Sequence, residues 1–228
     1  MLIVGDTHGD TGNLIALLDY CWDNGHTNIV QLGDWGYIFP SSFRQSDVSL
    51  LLQNRGIHMY FIDGNHDHHP FLRLLPNKKD NVAPHITYLP RGTYCTIEST
   101  MFASLGGAAS IDYASRFEGK DYWKDLECIN QNDVDKLDSA ADVLLVHDSP
   151  DYMPEFPPVD DATFNLRVDN NKHLINQAID IVKPELILHG HMHIKSVREH
   201  RGIKTVGLDC MAGRNYEIKP FNQFTYVI

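Results

Sequence analysis

The chain has 228 residues, 43% hydrophobic and 21% charged, which fits a folded globule and excludes a disordered or collagen-like chain. Lys and Arg number 19 against 30 Asp and Glu, leaving a formal charge of −11. That charge excludes broad non-specific binding to nucleic acid or anionic membranes, yet leaves room for a small anion where bound cations reverse the local field.

The predicted elements alternate between short apolar runs and helical periodicity. Leu2-Ile3-Val4 reads as a buried strand ending in Gly5-Asp6-Thr7-His8, and Leu14, Leu17, Leu18 and Cys21 as one helix face with Thr11 as its N-cap. Ile29 to Leu32 is a second strand, entering Gly33-Asp34, and Val48, Leu51 and Leu52 mark a second helix capped by Asp47. Met59 to Ile62 is a third strand, followed by Asp63-Gly64-Asn65-His66-Asp67. Residues 93–105 read as a hairpin. Val143 to Val146 forms a strand ending at His147, and residues 149–170, rich in proline and acids, read as a long irregular loop. Leu174, Ala178, Ile181 and Val182 form a helix face stopped by Pro184, and Leu186 to Leu188 leads into His189-Gly190-His191-Met192-His193. Strands around 196–198, 205–208 and 224–227 close the chain. The alternation predicts an α/β fold, with the hairpin and the last strands in a second, more antiparallel sheet. The four cysteines lack a CxxC pair and no apolar run approaches ~20 residues, so reduced thiols, no membrane span and no removable leader before Asp6 are expected. The expected protein is cytoplasmic, with one domain over residues 1–228.

Ligands of open α/β sheets sit outside the carboxyl ends of the strands. All five polar clusters hold that position, which gathers Asp6, His8, Asp34, Asn65, His66, Asp67, His147, His191 and His193. In an extended segment the i, i+2 pairs Asp6/His8 and His191/His193 each face one side. Turn formation accounts for the Gly, Asp and Asn residues. It does not account for histidine at four of the five strand ends. Carboxylates and imidazoles without thiolate are a donor set for first-row divalent metals. They are too many for one ion and suit two that share a carboxylate.

Taken in order, Asp6-x-His8, Gly33-Asp34, Gly64-Asn65-His66-Asp67, His147 and Gly190-His191-x-His193 resemble the signature of the calcineurin-like metallophosphoesterases across nearly the whole chain. One departure is Val146, where the family usually has glycine before the fourth-motif histidine. The resemblance implies a four-layer α/β/β/α sandwich of two mixed sheets flanked by helices. It also implies two divalent ions, Mn²⁺ first, with Fe, Zn, Co or Ni as alternatives. Asp6, His8 and His193 would hold one ion, Asn65, His147 and His191 the other, and Asp34 would bridge them. His66, oriented by Asp67, would contact the phosphate as electrostatic stabiliser or general acid. Two dications, two carboxylates and a bridging hydroxide sum to about +1, attractive to a phosphodiester in an acidic protein. In-line attack by that hydroxide is the implied reaction.

The serine/threonine phosphatases of this superfamily carry Arg after the second motif and Glu after Asn-His in the third. Gly36-Tyr37 and Asp67 stand there instead, which resembles the diesterase side. The run from Leu105 through Asp112, followed by Arg116 and Trp123, resembles small bacterial and phage phosphoesterases. The expected substrate is a small phosphodiester, with 2′,3′-cyclic nucleotides ahead of 3′,5′-cyclic ones. The alternatives are a phosphomonoesterase or nucleotide pyrophosphohydrolase of the same fold, or a non-catalytic protein-binding module. The expected partner is the small substrate, without extended nucleic acid or membrane, and the oligomeric state is left open. Trp35, Tyr37 and Phe39 are open to two roles, base stacking or core packing. Arg116 is open to phosphate binding or ordinary ion pairing, and Asn65 and His66 to substrate contact as well. His68 and His69 are expected to be solvated loop residues, and His189 to face the core or to back the metal ligands.

Overall fold

The apolar runs become strands and the 3.6-period segments helices in a computed structural model of the chain, which describes residues 1–38, 45–153, 156–213 and 217–228. In chain order these are β1 (Leu2–Val4), α1 (Thr11–Asp23), β2 (Asn28–Gln31), α2 (Gln45–Asn54), β3 (His58–Phe61), α3 (His69–Leu72) and β4 (Ile86–Tyr88). The hairpin β5 (Thr93–Ile97) and β6 (Thr100–Leu105) follows, then α4 (Lys124–Glu127), α5 (Gln131–Val134) and β7 (Val143–Val146). The chain ends with α6 (Ala162–Val182), β8 (Leu186–His189), β9 (Ser196–His200), β10 (Ile203–Gly207), α7 (Phe221–Phe224) and β11 (Thr225–Val227).

Two mixed sheets result. The first has the order β11-β1-β2-β3-β4 and the second β5-β6-β7-β8-β10-β9. β1 to β4 are parallel, and β11 lies antiparallel to β1, with Leu2 opposite Val227. This corrects the sequence expectation that put 224–227 in the second sheet: the terminal strand covers the open edge of β1. The second sheet is also less antiparallel than expected. Its middle strands β6, β7, β8 and β10 are parallel, and only β5 and β9 at the edges run the other way. Two of the five predicted site strands, β7 and β8, therefore belong to this sheet. The connections through α4 and α5 and through α6 are crossovers of the kind that join parallel neighbours.

Side-chain alternation sets the layers. Leu2 and Val4 pack with Leu14, Leu17 and Leu18 of α1, whereas Ile3 joins Val30, Leu32, Phe102, Leu145 and Leu188 between the sheets. Leu144 and Val146 turn the other way, onto Leu174, Ile175, Ala178 and Val182 of α6. The order is helix, sheet, sheet, helix, as expected. Each fully buried leucine or isoleucine contributes ~1.5–3 kcal/mol of burial.

Local boundaries differ from expectation in three places. Asp10, not Thr11, caps α1, accepting from Asn13 N at 3.0 Å. Asp47 lies inside the first turn of α2, where its charge still suits the helix dipole. α6 begins at Ala162, inside the stretch read as loop to Asn170. Asp161 starts it by accepting from Phe164 N at 3.0 Å, and Lys183 ends it in the left-handed conformation before Pro184. Among the described residues no helix is long and apolar enough to cross a membrane. All four cysteines are free.

Candidate metal centre

The parallel strands of both sheets deliver their carboxyl ends to one edge of the sandwich. Asp6 follows β1, Asp34 follows β2, Asn65 to Asp67 follow β3, His147 follows β7, and His191 and His193 follow β8. Backbone bonds tie the loops together: His8 N donates to Asp34 O at 2.8 Å, and Gly190 N to His147 O at 3.1 Å. Carboxylates join them further. Asp34 Oδ1 accepts from His66 N at 2.7 Å, and Asp6 Oδ2 from His191 N at 3.2 Å. The motif glycines make the approach possible, since a Cβ at Gly64 would overlap Asp34 Oδ1 and one at Gly190 would overlap Asp6 Oδ1.

Two overlapping groups of donor atoms result, Asp6 with His8 and His193, and Asp6 with Asp34 and His147, each lying within 4.8 Å. In the first, His193 Nε2 is 3.0 Å from Asp6 Oδ2 and 3.1 Å from His8 Nε2. In the second, His147 Nε2 is 3.4 Å from Asp34 Oδ1 and 3.2 Å from Asn65 Oδ1. The other nitrogen of His147 meets Leu32 O at 2.6 Å, which turns Nε2 toward the site. Asp34 also reaches the first group, with Oδ2 3.9 Å from His8 Nδ1. His191 is buried with its ring 5.1 Å from that of His147, and its backbone bonds Asp6.

The electrostatics fit a cation. Burial alone would raise the Asp34 carboxyl, but the charges of His147, His66 and His8 hold it well below the usual range. Burial would likewise lower His147 and His193. The carboxylates of Asp34 and Asp6 instead push His147 up to about 10, and the Asp6 hydrogen bond with the Cys210 contact pushes His193 up to about 11. His191 is pulled down to about 4 by burial, against the weaker upward pull of Asp148, Asp34 and Asp6. Two buried carboxylates thus hold protons on imidazole nitrogens that point at them, the places where metal ligation releases protons. Oxygen and imidazole donors without thiolate fit a first-row divalent ion. Asp6, His8 and His193 could hold an ion, and so could Asp6, Asp34 and His147.

Other residues fall differently. His66 stands at the open side, a third exposed, with Nε2 3.5 Å from Asp112 Oδ2. Asp67 does not orient it, contrary to expectation. The Asp67 carboxylate accepts from Gly64 N (2.9 Å), Gly36 N (3.0 Å) and Trp35 N (3.3 Å), locking the third motif to the second. Burial and the nearby Asp34 raise it to about 7, against the pull of the Gly64 and Gly36 amides.

Tyr37 is a correction: it is buried, donates to Asp10 O at 2.8 Å, and presents no face to a substrate. Trp35 is buried too, stacked on Phe61 at 4.4 Å. Phe39 lies outside the described residues. Arg116 offers no free fork to a phosphate, because its guanidinium binds Ser110 Oγ (2.6 Å), Asn65 O (3.2 Å) and Asp121 O. His69 is not solvated but fully buried, with Nδ1 3.4 Å from Asp63 Oδ2. His68 caps α3, accepting from Phe71 N at 3.2 Å. His189 is buried behind the ligands, as expected.

Sequence reading gave Ser110 and Asp112 no role beyond the run from Leu105 to Asp112 and passed over Glu127. The first two lie in the glycine-rich run after β6 and carry no strand-end signal. Glu127 reaches the site only through Ser110.

The sequence matches the calcineurin-like phosphoesterase family over residues 1–195. No curated protein matches it. Among solved structures, TT1561 of Thermus thermophilus superposes with a TM-score of 0.55 at 16% identity, over 92% of this chain and 89% of that one. The "Putative 5'-Nucleotidase from Staphylococcus aureus" gives 0.52 at 13% identity, over 92% of this chain and 48% of its own. At such identities the likeness concerns the fold. The family match spans the five strand-end clusters that meet at this edge, and the chain belongs to the calcineurin-like phosphoesterases, metal-dependent hydrolases of phosphoric esters.

Proposed function

We propose that the protein is a binuclear metal-dependent phosphodiesterase acting on small diesters, with 2′,3′-cyclic nucleotides preferred to 3′,5′-cyclic ones. The observation that carries this reading is the Asp34 carboxylate, whose Oδ1 lies 3.4 Å from His147 Nε2 and whose Oδ2 lies 3.9 Å from His8 Nδ1. One side chain therefore faces both donor groups, as a bridging ligand must. When bound, such a pair of ions lowers the pKa of water and stabilises the charge on the attacking and leaving oxygens.

The chain's own residues supply the rest. Asp6 and Asp34 are buried and ionised, so they keep their charge turned into the site. His8, His66 and His193 rim the open side at 36%, 34% and 42% side-chain exposure. His66, at the open side with Asp112 Oδ2 3.5 Å from its Nε2, is assigned the protonation of the leaving oxygen. The chain's net charge of −11 disfavours a long polyanion and supports a small substrate.

The test is hydrolysis of 2′,3′-cAMP, 3′,5′-cAMP, bis-p-nitrophenyl phosphate and p-nitrophenyl phosphate with Mn²⁺, beside a metal-stripped control and a metal count per chain. Metal-dependent cleavage of a cyclic nucleotide with two ions per chain is expected. Cleavage of the chromogenic diester alone would redirect the substrate. Strong preference for the monoester would replace the reading with a phosphomonoesterase, and no cleavage would favour a binding module.

A further inference from the structure

Asn65 can serve a metal only through Oδ1, because its amide nitrogen has no lone pair to give. Which end faces the site is therefore decisive, and the protein sets it through a chain of hydrogen bonds with one possible direction. Asn65 Nδ2 donates to Ser110 Oγ at 3.1 Å. Ser110 Oγ also accepts from Arg116 Nη1 at 2.6 Å, and it donates its single proton to Glu127 Oε2 at 2.6 Å. The other oxygen of Glu127 accepts from Ser110 N at 3.0 Å and from Arg167 Nη2 at 2.5 Å. Ser110 and Glu127 are both fully buried. Every partner of the Glu127 carboxylate is a donor, so the serine proton is committed to it. The serine can then only accept from Asn65, which leaves Oδ1 facing His147 Nε2 at 3.2 Å.

We propose that Glu127, acting through Ser110, is a positioning residue that fixes which end of the Asn65 carboxamide faces the metal centre. The inference rests on the reading of Asn65 as a metal ligand. It predicts an effect from an isosteric change that leaves packing intact. In Glu127→Gln, the donors Ser110 N and Arg167 keep the glutamine oxygen at the Oε1 place, so its NH₂ takes the Oε2 place and donates to Ser110. The serine proton then has only Asn65 to go to, and the carboxamide turns its nitrogen to the metal. An Asp at position 65 has an acceptor oxygen at both ends, so Asn65→Asp restores a ligand in that background.

The experiment is Mn²⁺ titration by calorimetry, with bound metal counted, on chelator-stripped full chains whose folding is checked by circular dichroism. We expect Glu127→Gln to weaken one Mn²⁺ by ~10–100-fold, the usual effect of losing a ligand's support, and to leave the other unchanged. Ser110→Ala weakens the same ion and carries the test if the Glu127 variant does not fold. The double variant Asn65→Asp/Glu127→Gln regains it. If Asn65→Ala weakens an ion but the folded Glu127→Gln and Ser110→Ala proteins bind as wild type, the positioning role is overturned alone. It is also overturned if the double variant fails to recover. If Asn65→Ala itself binds both ions normally, the ligand assignment of the proposed function falls, and the inference with it.

Discussion

Arg91→Met should be among the most damaging single changes outside the candidate metal centre. Arg91 and Asp63 are 3% and 2% exposed. Arg91 Nε lies 2.9 Å from Asp63 Oδ2, Nη2 reaches the same oxygen and Glu127 O, and Nη1 reaches Cys128 O. Removing the guanidinium leaves a buried carboxylate with the Tyr88 hydroxyl at 3.0 Å and His69 as its remaining partners. Breaking a buried pair from one side costs about 3–5 kcal/mol. At roughly 2–4 °C per kcal/mol for a chain of this size, the melting temperature should fall by about 6–20 °C. Asp63 O also accepts from Gly107 N at 2.8 Å, so the damage reaches the loop that carries Ser110. The assay is thermal unfolding by circular dichroism in chelator at pH 7, for wild type, Arg91→Met and Arg91→Met/Asp63→Asn. The double variant should be more stable than the single one, because it removes the stranded charge. Acid gives a second readout. Burial would raise Asp63, but Arg91 overcomes it and holds the carboxyl far below its ordinary 3.8. The pair's contribution is thus complete above pH 3.8 and drains as pH falls below it, so wild type and variant should converge in acid. A fall in melting temperature below ~3 °C, or a double variant no better than the single, would refute the reasoning.

Asp34→Asn should lose bound metal together with activity, because it removes the charge facing both donor groups; a fully metallated, inactive variant would contradict that. His66→Ala should lower turnover by ~10²–10⁴ on cyclic nucleotides, whose leaving alkoxide needs a proton, and far less on p-nitrophenyl esters. Equal losses on both would point to phosphate binding instead. Burial in β3 lowers His58 to about 4, only partly offset by Asp80. Its neutral ring therefore stabilises the fold fully above the ordinary 6.5, and that advantage is lost as pH falls toward 4. The melting-temperature gap between wild type and His58→Gln should shrink between about pH 7 and about pH 4.5, and a constant gap would show that the ring does not titrate there.

The residues that meet at the candidate metal centre were legible because they obey a local rule. Each follows an apolar run, and the carboxyl ends of parallel strands share one edge whichever sheet the strand joins. The rule survived even though β7 and β8 proved to lie in a different sheet from β1, β2 and β3. What was illegible depends on distant partners. Asp67 looked like an adjunct of His66, yet its oxygens are taken by amides 31 and 32 positions away in the second motif's loop and by its own turn. Tyr37 and Arg116 carry polar groups that read as available, and tertiary hydrogen bonds consume both. The first half of α6 was hidden by residues of modest helix propensity, Asn165, Asp169 and Asn170, and by the exposed Leu166 on its solvent side. β11 is only three residues long, and nothing within Thr225–Val227 specifies pairing with β1.

The backbone at four of the candidate site residues gives a further test of how the site is held. His8, Asp34, His191 and His193 all have positive φ, between 49° and 61°. For an L-residue this region costs roughly 1–2 kcal/mol, and strain of this kind persists where surrounding bonds over-determine it. At His8 three bonds do so: His8 N to Asp34 O at 2.8 Å, Gly9 N to Trp35 O at 3.0 Å and Asp10 N to Thr7 O at 3.1 Å. The side chain is over a third exposed, so truncating it removes little packing. Comparing His8→Gly with His8→Ala in chelator therefore isolates the backbone. At an ordinary position alanine is favoured by about 0.4–1 kcal/mol through the unfolded state. At position 8 the relieved strain exceeds that, and glycine should be the more stable by about 0.5–1 kcal/mol, a reversal of sign read from urea midpoints at equal m-values. If alanine proves the more stable, the strain at position 8 is smaller than the unfolded-state advantage of about 0.4–1 kcal/mol, and the reasoning fails.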